Sequence, residues 1–210
     1  MSGYSNQYIL KENSKWFLVR CTRNHFVYSL NRSAFIVERF CVLRRKMDRG
    51  KLYFVKDEFY IKFKGCGLLE NKEMVNGKPH NRPCCYLFQY DDSKIYWMIP
   101  LSSKVDKYEK EYQHSLNKYK ICDNISFGYV LGQKKAFLPQ NLFPVTENYI
   151  ENIYLNPDTH QPVLLDKKLM VELNAKARKK IRYNKMGKAF GLSNINKIYH
   201  ELLREQKESA

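Results

Sequence analysis

The chain has 210 residues, 44% of them apolar and 14% aromatic, enough for a packed core and too apolar for a disordered chain. Its 37 Lys and Arg against 21 Asp and Glu leave a formal charge of +16, which repels itself in a compact state and points to an anionic partner. Nucleic acid is the first expectation and an anionic membrane surface the rival, since no window approaches the ~20 apolar residues of a membrane span. The six cysteines, at 21, 41, 66, 84, 85 and 122, form no CxxC pair, and the five histidines fall at no zinc spacing. They read as small apolar residues of a reduced, cytoplasmic protein, and neither a metal nor a cofactor is implied.

Residues 1–46 differ from the rest. They carry nine Lys or Arg against Glu12 and Glu38, a net of +7, with no persistent helical or alternating pattern. Polar and basic residues interrupt every apolar stretch, so this is not a secretory signal. From Lys51 the pattern sharpens, and Met47 stands just ahead of it. The preferred reading takes Met47 as the start, with residues 1–46 an upstream extension outside the domain; the rival is a basic RNA-binding arm. Either way residues 47–210 keep a net charge of +9.

Residues 51–64 (KLYFVKDEFYIKFK) begin as a strand and meet Asp57-Glu58, a helix start. Residues 65–83 read as loop, with Asn76-Gly77 the strongest turn signal. Residues 84–90 (CCYLFQY) and 94–101 (KIYWMIPL) form a β-hairpin of buried strands about Asp91-Asp92-Ser93, with Cys84 and Cys85 on opposite faces. From Ser102 the sequence turns strongly charged, a loop leading into an irregular helix. Residues 124–131 and 136–144 read as another strand pair around 132–135, followed by an extended segment through Tyr154 and Leu155 and a turn at Asn156-Pro157-Asp158-Thr159. Residues 166–184 are the clearest helix, with Leu169, Leu173, Ala177 and Ile181 four apart. A last helix runs from Ser193, its N-cap, to Gln206. Strands first and helices last make this α+β with a mostly antiparallel sheet and C-terminal helices.

Most enzyme signatures are absent: there is no Walker loop, no GxGxxG, no nucleophile elbow and no HExxH. The one tight acidic pair, Asp91-Asp92, reads as a hairpin turn. Ser102, Ser103 and Lys104 end an apolar strand abruptly. Hydroxyls and a cation so placed can hold a phosphate, although composition alone favours a polar turn followed by a solvated lysine.

From Lys51 onward the chain resembles the ToxN/CptN/AbiQ family of type III toxins, and most closely the CptN branch. The opening KLYFVKDEFYIKF is similar to the family's first strand and its Tyr-Ile. Arg82-Pro83-Cys84-Cys85-Tyr86-Leu87 resembles the basic residue that introduces the second strand. Pro100-Leu101-Ser102-Ser103 resembles the Pro-Leu-Thr/Ser-Ser signature, and residues 123–128 and 131–144 its later strands. The likeness spans residues 47–205 and lies in the order and spacing of these segments. It implies a compact, barrel-like sheet related to Kid/MazF toxins and flanked by helices, and a metal-independent endoribonuclease in which the ribose 2′-hydroxyl attacks the adjacent phosphate. It implies that Ser103 contacts the scissile phosphate, with Ser102, Tyr60 and Arg82 as further site residues. The family's lysine two residues after the serine is not matched, since Val105 stands there, and Lys104 or Lys107 replaces it. His114 has the chemistry of an acid or base but no matched motif.

The helix within residues 167–188 carries Lys176, Lys179, Lys180, Arg182 and Lys185, with Tyr183 available to stack on a base. With the resemblance in view it is the candidate interface for a small structured repeat RNA that neutralises the toxin in a closed toxin–RNA assembly. By itself it is equally a solvated face. The expected partners are therefore substrate RNA and antitoxin RNA, with no DNA and no membrane. The alternative of a different class is a non-catalytic RNA-binding or ribosome-associated module. A peripheral membrane protein is disfavoured because the helix lacks Trp or Phe before Phe190.

Overall fold

The computed structural model describes residues 6–12, 15–22, 25–29, 47–75, 77–89, 94–188 and 193–208. The Asp91-Asp92-Ser93 turn, Asn76 and Phe190 lie outside them. The chain divides into two compact units, Met1–Lys46 and Met47–Ala210. The first contains an antiparallel meander of β1 (Asn6–Glu12), β2 (Lys15–Thr22) and β3 (His25–Ser29), where the sequence suggested no regular pattern. Backbone pairing builds a meander without needing an alternating apolar face.

The second unit is built on strands β4 (Leu52–Val55), β7 (Cys84–Gln89), β8 (Ile95–Ser102), β9 (Ser126–Val130), β10 (Gln133–Phe137), β11 (Phe143–Thr146) and β12 (Ile150–Ile153). They join in the order β12-β4-β7-β8-β10-β9, with β11 also on β8, and every pairing is antiparallel. A separate hairpin, β5 (Lys72–Val75) and β6 (Lys78–Asn81), stands where the sequence suggested loop. The helices are α1 (Asp57–Lys62), α2 (Val105–Tyr119), α3 (Lys167–Lys185) and α4 (Ile195–Glu208).

All eight residues of β8 are buried, because the strand is covered on both faces. Trp97, Ile99 and Leu101 pack with Leu169, Leu173, Ala177 and Ile181 of α3, while Tyr96 and Met98 pack with Phe59 of α1 and Ile198 and Leu202 of α4. The adjacent Cys84 and Cys85 likewise fall in different cores. One edge of β8 changes partner part-way, from β11 at residues 95–98 to β10 at Leu101 and Ser102. Pro100, with no N–H to offer a ladder, stands at the changeover.

Two expectations about the sheet are corrected. The sheet is not closed into a barrel, because β12 and β9 are its two ends and do not pair with each other. The β9–β10 turn is Leu131-Gly132, both at positive φ (49° and 74°) as a two-residue hairpin turn requires, rather than residues 132–135. At the helix ends, Asp166 caps α3 by accepting from Lys168 and Leu169 N–H. Asn194, not Ser193, accepts from Lys197 N–H at the start of α4, while the Ser193 hydroxyl donates to the Gly67 carbonyl.

Candidate active site

The chain bends where β8 ends and α2 begins, and Ser102, Ser103 and Lys104 make that bend. Ser102 still pairs in the sheet with Ala136 of β10, so one further step along the ladder brings Lys135 opposite Ser103. The lysine Nζ donates to Ser103 Oγ at 2.9 Å. Its neighbour Lys134 points to the other face of the strand, where it pairs with Glu109 of α2. No carboxylate pairs with Lys135 among the described residues.

Beneath the bend lies a buried acid. Glu73 accepts from Ser102 Oγ at 2.5 Å, from Ser103 N–H at 2.9 Å and from Arg82 Nη1 at 3.4 Å. Burial by itself would raise its pKa, but the hydrogen bonds from Ser102 and Ser103 and the Arg82 and Lys104 charges outweigh it and hold the carboxyl below its ordinary range. Lys104 N–H donates to Ser102 Oγ at 3.1 Å. Tyr108 of α2 is buried beside this cluster, and burial raises its phenol despite the Arg82 charge.

The site residues expected from the sequence separate into groups. Ser102, Ser103, Lys104 and Arg82 come together. Arg82, however, is 7% exposed, and its guanidinium is engaged by the Leu101 carbonyl (2.6 Å), the Glu70 carbonyl (3.1 Å) and Glu73. A guanidinium so enclosed braces the bend. Tyr60 lies against Cys84, hydroxyl to Sγ 3.8 Å, and burial pushes its phenol well above the ordinary range, so it stays protonated. Lys107 is exposed one turn into α2, its Nζ 5.3 Å from the Tyr108 ring centroid and 3.9 Å from Glu111. His114 is exposed about 14 Å along α2 from its first residue, nine residues at 1.5 Å each, and does not share the bend with Ser103.

Glu73 and Lys135 were not singled out in the sequence, nor was Tyr108. Glu73 sits in a stretch that reads as loop. Lys135 is one of two adjacent lysines beside a turn, and only the alternation of β10 distinguishes it from Lys134.

On the basic helix, Lys176 donates to the Ile125 carbonyl (2.8 Å) and Ser126 Oγ (2.9 Å) and pairs with Glu172. Lys179 pairs with Asp123 at 2.5 Å. Lys180 is 1% exposed, bonded to Asn124 Oδ1 at 3.0 Å, and burial lowers its pKa to about 8. These three therefore tie the loop before β9 to α3, and Lys180 adds nothing to an outward face. Arg182 and Lys185 are exposed, and Tyr183 is half-buried with the Arg182 guanidinium 5.8 Å from its ring centroid.

Among the described residues no three His, Cys, Asp or Glu side chains gather as a metal site requires. No described helix is long and apolar enough to cross a membrane.

No family model and no curated protein sequence matches the chain. Solved structures do. The fold is similar to that of AbiQ, a lactococcal anti-phage endoribonuclease of the type III toxin–antitoxin system, with a TM-score of 0.53 and 12% identity over 75% of this chain and 98% of AbiQ. It is also similar to a protein solved in work on a processed non-coding RNA that regulates a bacterial antiviral system, with a TM-score of 0.50 and 13% identity over 72% of this chain and 96% of the other. At these identities the likeness is one of fold.

Proposed function

We propose that residues 47–210 form the endoribonuclease toxin of a type III toxin–antitoxin system, acting in phage defence or locus maintenance and held inactive by a structured repeat RNA in a closed assembly. The observation that carries the reading is the contact between Lys135 Nζ and Ser103 Oγ at the end of β8. A serine oxygen that accepts from an ammonium keeps its own proton to give, and the ammonium keeps two further N–H donors. Together they match the oxygens of a phosphodiester, with charge supplied where the phosphorane develops. Support comes also from the net charge of +9 on these residues and the likeness of fold to AbiQ.

The nucleophile is the substrate's own 2′-hydroxyl, which gives up its proton to solvent water as it attacks the adjacent phosphorus in line with the departing 5′-oxygen, and leaves a 2′,3′-cyclic phosphate. No metal is required for this route. Ser103 donates to a non-bridging oxygen, Lys135 neutralises its charge, and Lys104, exposed one residue on, protonates the leaving oxygen. Ser102 and Arg82 act from beneath by holding the bend. Arg182 and Lys185 belong to the antitoxin interface.

The test is cleavage of single-stranded RNA by wild type and Ser103→Ala, with and without EDTA. Loss of one transition-state donor lowers the rate by about 10²–10³-fold. Binding should persist, EDTA should have no effect, and the product should carry a cyclic phosphate. A Ser103→Ala protein as active as wild type, or activity abolished by EDTA, contradicts the mechanism. A wild-type chain that binds RNA and never cuts it is a binding module instead.

A further inference from the structure

The β5–β6 hairpin docks in an unusual way. Along its described length, Glu73 is the one buried residue, and Met74, on the opposite face, is 55% exposed. Hairpins ordinarily seat themselves by burying an apolar face; this one turns an acid inward. A buried carboxylate is costly unless its charge and lone pairs are met, and here both are. Oε1 receives Ser102 Oγ and Arg82 Nη1, and Oε2 receives the Ser103 amide. The hairpin base is fixed as well. Asn71 Nδ2 donates to the Val55 carbonyl (3.1 Å) and to Asp57 (2.6 Å), and Arg82 N–H donates to the Asn71 carbonyl (2.7 Å). Arg82 also grips the Leu101 carbonyl, one residue before the serine pair.

These contacts divide the two serines. Ser102 Oγ gives its proton to Glu73 and accepts from Lys104 N–H, so it has no proton left to offer a phosphate. Ser103 turns its amide inward to the same carboxylate, and its side chain is left facing Lys135.

We propose that Glu73 is the positioning residue for Ser103: its carboxylate fixes the bend between β8 and α2 so that one hydroxyl, that of Ser103, meets the phosphate. Glu73 touches no substrate and acts through the serine. The inference rests on the phosphate-gripping role given to Ser103 above.

The test is a four-member cycle of wild type, Glu73→Gln, Ser103→Ala and the double variant, with kcat and KM measured for RNA cleavage. Glu73→Gln keeps the side chain's shape but offers an N–H₂ where an acceptor is needed. It should lower kcat by about 10–100-fold and leave KM within about threefold, because the lost interaction counts only in the transition state. In the Ser103→Ala background it should change kcat by less than about twofold, since residues acting as a unit are not additive. Factors that multiply in the double variant, or a change confined to KM, overturn the proposal. Because Glu73→Gln leaves the Arg82 charge buried without its partner, Glu73→Gln with Arg82→Met is made alongside; it removes both charges and, since Arg82 also holds the bend, should show at least the same loss of kcat with a cooperative thermal transition. If the wild type cuts no RNA, the ribonuclease reading fails by itself, and amide exchange decides the clamp. Ser103 N–H should then exchange at least about tenfold faster in Glu73→Gln while Ile99 N–H is unchanged. Equal Ser103 exchange in both proteins overturns it.

Discussion

Lys135→Met removes one charge while keeping an unbranched stem of similar length, so it isolates what the ammonium contributes. A phosphate oxygen that shares the Ser103 hydroxyl lies about 4 Å from Nζ, where one pair of unit charges is worth about 4 kcal/mol at an effective dielectric of 20 and about 1 kcal/mol in water. Lys135 is half-buried, so a value between these limits, about 3 kcal/mol, is appropriate. That corresponds to about 10²-fold in rate. Single-turnover cleavage of a short oligoribonucleotide at saturating protein reads the chemical step directly. Affinity for a 2′-deoxy-substituted analogue should fall modestly, and the slope of log K against log salt should become shallower by about 0.7, the share of one phosphate on a single strand. Ser103→Ala combined with Lys135→Met should be no slower than about twofold below the worse single variant. Lys134→Met is the control: it lies on the other face of β10, paired with Glu109, and should cut within about threefold of wild type. A Lys135→Met protein that cleaves at the wild-type rate, or a Lys134→Met protein that loses as much, refutes the assignment.

Lys180 makes a prediction in pH. Its value of about 8 in the fold lies below the ordinary 10.5, so between those values the unfolded chain binds more protons and stability rises with pH. Lys180→Met should raise the Tm at pH 7 and abolish that rise, worth on the order of 2–3 kcal/mol; parallel pH curves for the two proteins would contradict it. Glu73 has the opposite sense: its depressed pKa contributes stability above the ordinary carboxylate range, lost as pH falls through the lower folded value, and Glu73→Gln should flatten this acid limb of the melting curve. Replacing exposed Arg182 and Lys185 with Ala should make antitoxin-RNA binding less salt-dependent by about one slope unit per contact, while an unchanged slope moves the interface elsewhere. Leu131, at φ 49° in the β9–β10 turn, should gain about 0.5–1 kcal/mol on replacement by Asn, which tolerates that conformation; a lower Tm would show that the half-exposed leucine packs productively.

Period and punctuation in the sequence are local signals, and the local elements followed from them. Residues 51–64 read as strand then helix, and β4 and α1 stand there; the four-residue spacing of Leu169, Leu173, Ala177 and Ile181 marked the buried stripe of α3. The alternation that put Cys84 and Cys85 on opposite faces was legible because side-chain direction in a strand needs no partner. Ser102 and Ser103 were legible as the end of an apolar run. Which of them is free was not, because that depends on an acid 30 residues before Ser103 and an amine 32 residues after it. Glu73 carries no local sign of burial: an acid among exposed lysines is ordinarily solvated, and its desolvation is met only by donors that tertiary packing brings. The enclosure of Arg82 was hidden for the same reason, since the carbonyls and carboxylate that surround it come from residues 70, 73 and 101. The buried Lys180 escaped notice because lysines on the flank and the outer face of a helix share one periodicity until a neighbouring loop covers the flank. Sheet closure likewise lay beyond the sequence: strand order and the pairing of the two end strands are set by contacts between distant residues, whose direction no local pattern encodes.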